Sequence, residues 1–173
     1  MKKSVLISIQ PKWCELIASG KKTVEVRKTK PRLHVPFTVY IYQTKKTWVY
    51  NIFSKIADWQ GKVIGEFVCD EIIVAELGHY CNIPCKEAQL DVLDLMDYAD
   101  EKTVYGWHIS NLVIYDKPKK LSEFERACPY NEECWKCKYY DNGSMEEPPS
   151  CNWQDFELIR PPQSWCYVEE LSK

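Results

Sequence analysis

The sequence has no apolar run that approaches the length of a membrane-spanning helix, which takes about 20 consecutive residues. It also lacks a signal-type leader, because Met1-Lys2-Lys3 runs directly into the strand-like residues 5–7 without an apolar core or a cleavage site. These absences exclude a helical membrane protein and argue against export. We therefore expect a cytoplasmic protein with no membrane partner.

A large net charge of either sign is missing too, since 23 Lys and Arg stand against 25 Asp and Glu. This balance, with 45% hydrophobic residues in a chain of 173, excludes a disordered chain and supports one substantial core. The charges are nevertheless segregated, because residues 1–50 carry a net charge of +9 and the remainder carries −11. Aromatic residues lie among the cations of the basic segment, which favours a polyanionic partner. The acidic remainder would repel an extended duplex, so a local pocket for a base or a short single strand fits better.

The most informative segment is residues 20–27, GKKTVEVR, which joins a short predicted helix to a strand. Gly20 can serve as the left-handed helix stop. In the strand that follows, Glu25 and Arg27 point to the same face, and Lys22 lies at the entry turn. Two interpretations are open: the three charges hold a polar ligand, or they form a weak ion pair on a solvated face.

This segment, read as G-x-K-x-x-E-x-R, resembles the signature of the ASCH domain family, a branch of the PUA-like β-barrels. Gly20, Lys22, Glu25 and Arg27 occupy the matching positions. The preceding residues 8–13 and the later strands follow the family's order over about two thirds of the chain and a closing strand. The resemblance implies an α+β fold, a small mixed PUA-like β-barrel with flanking helices. It also implies a cleft between the first helix and the barrel that binds RNA, a nucleotide or a modified nucleoside.

The resemblance implies a catalytic alternative as well, because some members of the family are reported as ribonucleases or as hydrolases of acetylcytidine. Those hydrolases use a lysine and a threonine of the motif region, and the threonine position matches Glu25 here. A carboxylate cannot replace an activated hydroxyl in amide cleavage, so that activity is not carried over. Lys22 and Glu25 remain candidates for general acid and base catalysis by a hydrolase of RNA or of a modified nucleoside.

The expected binding residues are drawn from the motif, the first helix and one later strand. Lys22 and Arg27 would contact phosphate or a carbonyl oxygen, while Glu25 would accept from an exocyclic amine or orient a cation. Trp13 lies in the predicted helix and is an aromatic candidate for stacking a base. His108 could face the cleft and titrate near neutral pH, or it could be a hydrogen-bonded structural histidine. The full set of predicted binding residues is Gly20, Lys22, Glu25, Arg27, Trp13 and His108.

The chain has nine cysteines, and an odd number without an export signal indicates a reducing compartment. Cys128, Cys134, Cys137 and Cys151 have the spacing C-x5-C-x2-C-x13-C, in a segment that has no adequate core of its own. Four thiolates would close a tetrahedral shell, so the pattern predicts a structural rather than a catalytic Zn²⁺. The alternatives are four free thiols or a redox-active pair at Cys134 and Cys137.

The simplest organisation is one ASCH/PUA-like domain over residues 1–173, with 126–155 as an inserted Cys-rich loop and 156–168 returning as closing strands. A protein-interaction module built on that loop is a further alternative for function. The apolar periodicity predicts helices at 11–19 and 84–100, strands at 23–27, 38–42, 105–115 and 164–168, and one long or two consecutive strands at 62–77. The resemblance to the ASCH family implies that 48–61 is a loop over the cleft.

Overall fold

The computed structural model of the chain describes residues 2–45, 56–75, 82–100, 102–128, 140–141, 150–151 and 156–171. The described helices are α1 (Pro11–Ala18), α2 (Cys85–Ala88) and α3 (Val92–Ala99). The described strands are β1 (Lys3–Ile9), β2 (Val24–Arg27), β3 (Phe37–Gln43), β4 (Lys62–Cys69), β5 (Ile72–Ala75), β6 (Val104–His108), β7 (Ser110–Lys119), β8 (Glu125–Arg126), β9 (Tyr140–Asp141), β10 (Ser150–Cys151), β11 (Phe156–Glu157) and β12 (Trp165–Glu169).

The strands form a mixed, sheet-dominated fold with few helices. Seven strands pair in the order β11-β8-β12-β1-β3-β4-β7, with β1 parallel to β3 and antiparallel to β12. A second sheet has the order β2-β6-β5, and β9 pairs with β10. This confirms the α+β class and the dominance of the sheet. Among the described residues, no strand pairing joins the seven-stranded sheet to the three-stranded sheet. Closure of the sheets into a barrel therefore stays a prediction.

Two of the crossings between these sheets occur at short breaks between consecutive strands. The apolar run at 62–77 is divided into β4 and β5 by Asp70 and Glu71, which matches the alternative of two consecutive strands. The single strand predicted at 105–115 is wrong, because Ile109 separates β6 from β7, and its backbone N–H donates to Thr23 O just before β2. Each break moves the chain from one sheet to the other.

The single helix predicted at 84–100 is also wrong, because it divides into α2 and α3. Gln89 adopts a left-handed conformation, with φ of 54°, and ends α2. Asp91 then begins α3, since its carboxylate accepts from the backbone N–H of Asp94 at 2.7 Å. Aspartate at this position competes with the helical backbone for that N–H group and therefore favours a new helix start. Leu90 lies between the two helices as a result.

Three buried clusters hold the elements together. The largest contains Ile7, Phe37 and Trp107, with the rings of Phe37 and Trp107 edge to face at 6.0 Å. A second cluster lies on the other face of β1 and β12. In the third, Val24 of β2 packs with Leu95 of α3, which fixes the motif strand against the helix. None of the described helices is long and apolar enough to span a bilayer.

Candidate functional site

A cavity of about 350 Å³ lies between α1, β2, α3 and the segment before β12. This volume is within the range of small-molecule binding sites, which runs from about 300 to 1,000 Å³. Its lining comes from seven parts of the chain that the sheets and α3 bring together. The lining residues are Ser8, Gln10, Trp13, Lys22, Glu25, Val26, Arg27, Thr44, Leu90, Tyr98 and Gln163.

The turn that ends α1 directs the motif toward this cavity. Gly20 has φ of +71°, a conformation that residues with a Cβ adopt only at a cost. Its N–H donates to Ile17 O, and the next two N–H groups donate to Leu16 O, which satisfies carbonyls at the helix end. Gly20 thus shapes the approach to the cavity without lining it.

The two faces of β2 have different environments, as its alternation predicts. Val24 and Val26 pack into the cluster formed with α2 and α3. Glu25 is on the opposite face and lines the cavity, yet only 7% of its side chain is exposed. The interpretation of the motif charges as a surface ion pair is therefore wrong, because a solvated face would leave this carboxylate open to water.

Glu25 lies between the two cations of the motif and contacts both. Its Oε1 is 2.8 Å from Arg27 Nη2, and its Oε2 is 3.5 Å from Lys22 Nζ. Arg27 Nη2 also donates to Ser8 O at 2.8 Å. Two cations and one carboxylate leave the group with one positive charge in excess, and weak screening at a buried site makes that charge attractive to an electron-rich group.

Lys22 is the most deeply buried of the three groups, with 2% of its side chain exposed. Its Nζ donates to Ala88 O at 2.5 Å and lies 4.9 Å from the ring centroid of Trp13. Burial lowers the pKa of Lys22, and the neighbouring Glu25 opposes that shift. Lys22 therefore gives up its proton more readily than an exposed lysine does.

Arg27 has unused hydrogen-bonding capacity at the cavity. Its Nε is buried, and no described residue accepts from it. An unpaired guanidinium N–H in this position costs free energy unless a ligand or water supplies an acceptor. Arg27 thus lines the cavity and keeps a donor that no described residue satisfies.

Two aromatic side chains contribute to the cavity wall from different helices. Trp13 of α1 was expected there from the sequence, whereas Tyr98 of α3 was not. Burial raises the pKa of Tyr98. The sequence of the predicted 84–100 helix gave no sign of this contact, because the helix break at Gln89 and Leu90 sets the direction of α3. The other lining residues that sequence reasoning missed are Ser8, Gln10, Val26, Thr44, Leu90 and Gln163.

His108 is placed away from the cavity lining. Its Nδ1 lies 2.7 Å from Asp70 Oδ1 at the point where β4 ends, and both side chains are partly exposed. This hydrogen bond is the main cause that lowers the pKa of Asp70. The structure therefore does not bring His108 together with Lys22, Glu25 and Arg27.

The predicted zinc ligands fall largely outside the described residues. Cys134 and Cys137 lie outside them, as does the side chain of Cys151, while Cys128 is a partly buried thiol. Within the described ranges, no cluster of three or more His, Cys, Asp or Glu side chains is suited to a metal ion. The zinc site stays a prediction. Residues 48–55 of the loop predicted at 48–61 also lie outside the described residues, so that part of the loop stays a prediction too.

The fold and the cavity define a small sheet-based domain with a charged, ligand-sized pocket near its first helix. The model of the ASCH domain family matches residues 7–150. The chain belongs to the ASCH domain family, which is associated with RNA binding.

Solved structures of an ASCH protein from Zymomonas mobilis have a similar fold. A single-residue variant of that protein aligns with a TM-score of 0.60 at 18% identity, covering 98% of this chain and 92% of its own. The protein without substitution aligns with a TM-score of 0.55 at 18% identity, covering 96% and 88%. A second variant gives a TM-score of 0.60 at 18% identity, covering 96% and 89%. No curated protein matches the chain significantly.

Proposed function

We propose that the chain binds RNA, through a nucleotide or a modified base, in the cavity lined by Lys22, Glu25 and Arg27. The observation that carries the proposal is the buried charge group itself, with one excess positive charge beside aromatic walls. A cation with a free N–H attracts phosphate or a base carbonyl, and an aromatic ring stacks a heterocycle.

Each side chain of the group has a separate role in this proposal. Arg27 donates to a phosphate or carbonyl oxygen through guanidinium N–H groups other than those of Nη2, which is already engaged with Glu25 and Ser8. Glu25 holds both cations in place and offers a lone pair to an exocyclic amine. Trp13 and Tyr98 supply the apolar surface against which the base lies.

The size of the cavity favours one nucleotide unit over a longer stretch of nucleic acid. A volume of about 350 Å³ suits a small ligand. Residues 51–173 carry a net charge of −11, which opposes contacts with successive phosphates. A single-stranded or flipped-out nucleotide fits these two constraints.

Fluorescence anisotropy with short labelled single-stranded RNAs, and calorimetry with nucleosides and nucleoside monophosphates, test the proposal. We expect Arg27→Met to weaken binding at least tenfold. Arg126→Met is the matched control, because Arg126 is an exposed arginine on β8 outside the cavity, and it should change binding less than twofold. Equal losses in the two variants would contradict the proposal and indicate diffuse attraction by surface charge.

A second candidate function is hydrolysis of RNA or of a modified nucleoside, and the lowered pKa of Lys22 favours it. A lysine beside a carboxylate can exchange a proton with a substrate during general acid and base catalysis. Under this candidate, purified protein consumes a member of a nucleoside or RNA panel, and Lys22→Ala stops turnover without unfolding the chain. Binding without turnover in the wild type would leave only the first function.

We also propose that residues 126–155 form an insertion in a single barrel-type domain, closed by the strands that follow it. Cys128, Cys134, Cys137 and Cys151 would hold a structural Zn²⁺ there, on the strength of their spacing. Elemental analysis should find about one zinc per chain, lost in Cys134→Ser and retained in Cys85→Ser. Retention of zinc in both variants would overturn this ligand set. The protein-interaction alternative rests on the same loop and would be favoured if Cys134→Ser released a partner.

A further inference from the structure

The outer side of α3 presents large apolar side chains to solvent. Leu93 is 73% exposed, Met96 is 54% exposed, and Val92 is also more than half exposed. None of the three hydrophobic clusters built by the described residues includes them. Exposed single apolar residues are common, but three on one short helix form a patch of the kind found at interaction sites.

The apolar stripe of α3 is wider than the area that the rest of the chain covers. At about 100° per residue, the stripe runs from Leu95 through Ala99, Val92 and Met96 to Leu93, an arc of about 160°. Leu95 and Ala99 are fully buried against the body of the domain. The other half of the same stripe is exposed, so α3 has apolar surface for a second contact.

Acidic residues border the exposed half of the stripe on the side away from the domain. Asp94 and Asp97 lie beyond Leu93 on the helix, and Asp91 caps its start, all three of them exposed. Asp100 at the other end is exposed too, but it pairs with Lys102 at 3.2 Å. This charge repels phosphate, so neither RNA nor an anionic membrane surface suits the patch. Opposite charges around an apolar centre instead fit a polypeptide that carries Lys or Arg beside its own apolar residues.

We propose that the outer face of α3, formed by Val92, Leu93 and Met96 and bordered by Asp94 and Asp97, is a docking surface for a basic amphipathic helix of a partner protein. The partner's apolar residues would pack against Leu93 and Met96, and its cations would pair with the aspartates. Proteins commonly bind such an apolar face with an amphipathic helix, whose apolar residues at positions i, i+3 and i+4 make the contact.

This docking surface is independent of the proposed nucleotide site but shares α3 with it. Tyr98 of α3 lines the cavity, whereas Leu93 and Met96 are on another side of the helix. A partner could therefore contact α3 without filling the cavity. Failure of one proposal leaves the other standing, since RNA binding and helix docking are measured with different ligands.

The experiment uses the whole chain and a labelled model helix of about 18 residues, built from Leu and Lys at helical spacing. A second peptide with Glu in place of Lys is its control. We expect the Lys peptide to bind at least tenfold more tightly than the Glu peptide, with NMR shift changes concentrated on residues 91–100. Leu93→Ala with Met96→Ala should weaken that binding at least tenfold, and Asp94→Asn with Asp97→Asn at least threefold.

Ile159→Ala provides the matched control, because Ile159 is 89% exposed and lies outside α3. It should leave peptide binding unchanged. The proposal is overturned if the Lys peptide does not bind, if the α3 variants bind it as the wild type does, or if shift changes lie elsewhere. Self-association that Leu93→Ala with Met96→Ala abolishes would also overturn it, by identifying a second copy as the occupant. Binding to vesicles with anionic lipid through the same residues would do so as well.

Discussion

At the scale of single residues, the site depends on how three charges share one buried space. Glu25 contacts Lys22 and Arg27, and both cations have further acceptors in backbone carbonyls. Buried ion pairs of this kind contribute less to stability than their short distances suggest, because each charge has lost its hydration. Removing one member is more costly, because it leaves the others uncompensated.

Glu25→Gln should be the most destabilising single change in the motif. It removes the only negative charge between Lys22 and Arg27 while keeping the shape of the side chain. We expect the free energy of unfolding to fall by about 3 kcal/mol, measured by urea denaturation. Glu87→Gln, on the solvated side of α2, is the control and should change it by less than about 0.5 kcal/mol. A loss at Glu25 as small as that at Glu87 would contradict the buried charge group.

Lys22→Met should lower the free energy of unfolding by about 1–2 kcal/mol. Ala88 O loses its donor in the variant, but the cost of burying an ammonium group disappears. The effect should also depend on pH. Burial lowers the pKa of Lys22 below its ordinary value of 10.5, so the unfolded chain holds more protons than the folded chain between the lowered pKa and 10.5. Raising the pH through that range therefore stabilises the wild type relative to the variant. Urea denaturation of the wild type and the variant near pH 7 and near pH 10 checks this. A stability difference between them that shrinks at high pH would contradict the lowered pKa of Lys22.

At the scale of elements, the breaks between helices and strands bring the cavity wall together. The turn after α1 directs Lys22 inward, and the break between α2 and α3 brings Leu90 and Tyr98 to the same space. α3 spans two turns and begins at Asp91, so its position depends on a few local hydrogen bonds.

Asp91→Ala should therefore loosen α3 and affect the cavity. The carboxylate of Asp91 accepts from Asp94 N–H at 2.7 Å, and losing such a cap costs about 1 kcal/mol. We expect this loss in urea denaturation, together with faster amide exchange across α3 and weaker nucleotide binding through Tyr98. Asp91→Asn retains the cap and should restore all three. If Asp91→Ala and Asp97→Ala had equal effects, general charge rather than capping would be the cause.

The elements that could be predicted from the sequence are those whose signals are local. Pro11 and Gly20 bound α1 as expected, and the alternation of Val24 and Val26 predicted the inward face of β2. The break at Ile109 had no comparable signal, because it depends on a hydrogen bond to Thr23 from a distant part of the chain. Tyr98 and Gln163 escaped prediction for the same reason, since only the assembled fold places them beside Lys22.

At the scale of the whole molecule, the separation of charge along the chain limits how nucleic acid can bind. The first 50 residues carry the excess of cations, and the rest carries the excess of anions. An electron-rich ligand is therefore attracted by residues 1–50 and repelled by the acidic residues of the remainder. The protein should read a single nucleotide rather than follow a strand.

The salt dependence of RNA binding should consequently be shallow. Single-stranded nucleic acid gives a slope of log K against log salt concentration of about −0.7 for each phosphate contacted. With one or two phosphates in contact, we expect a slope between about −0.7 and −1.4, reduced by about 0.7 in Arg27→Met. A slope several times steeper would mean that an extended basic surface, and not the cavity, holds the RNA.

The location of a bound nucleotide tests the central claim most directly. A crystal structure of the chain with a nucleoside monophosphate that binds in solution should have the base in the cavity beside Trp13 and Tyr98. The guanidinium of Arg27 should lie within hydrogen-bonding distance of a phosphate or carbonyl oxygen of that ligand. A nucleotide bound elsewhere on the protein, with the space between Lys22 and Tyr98 unfilled, would contradict the account.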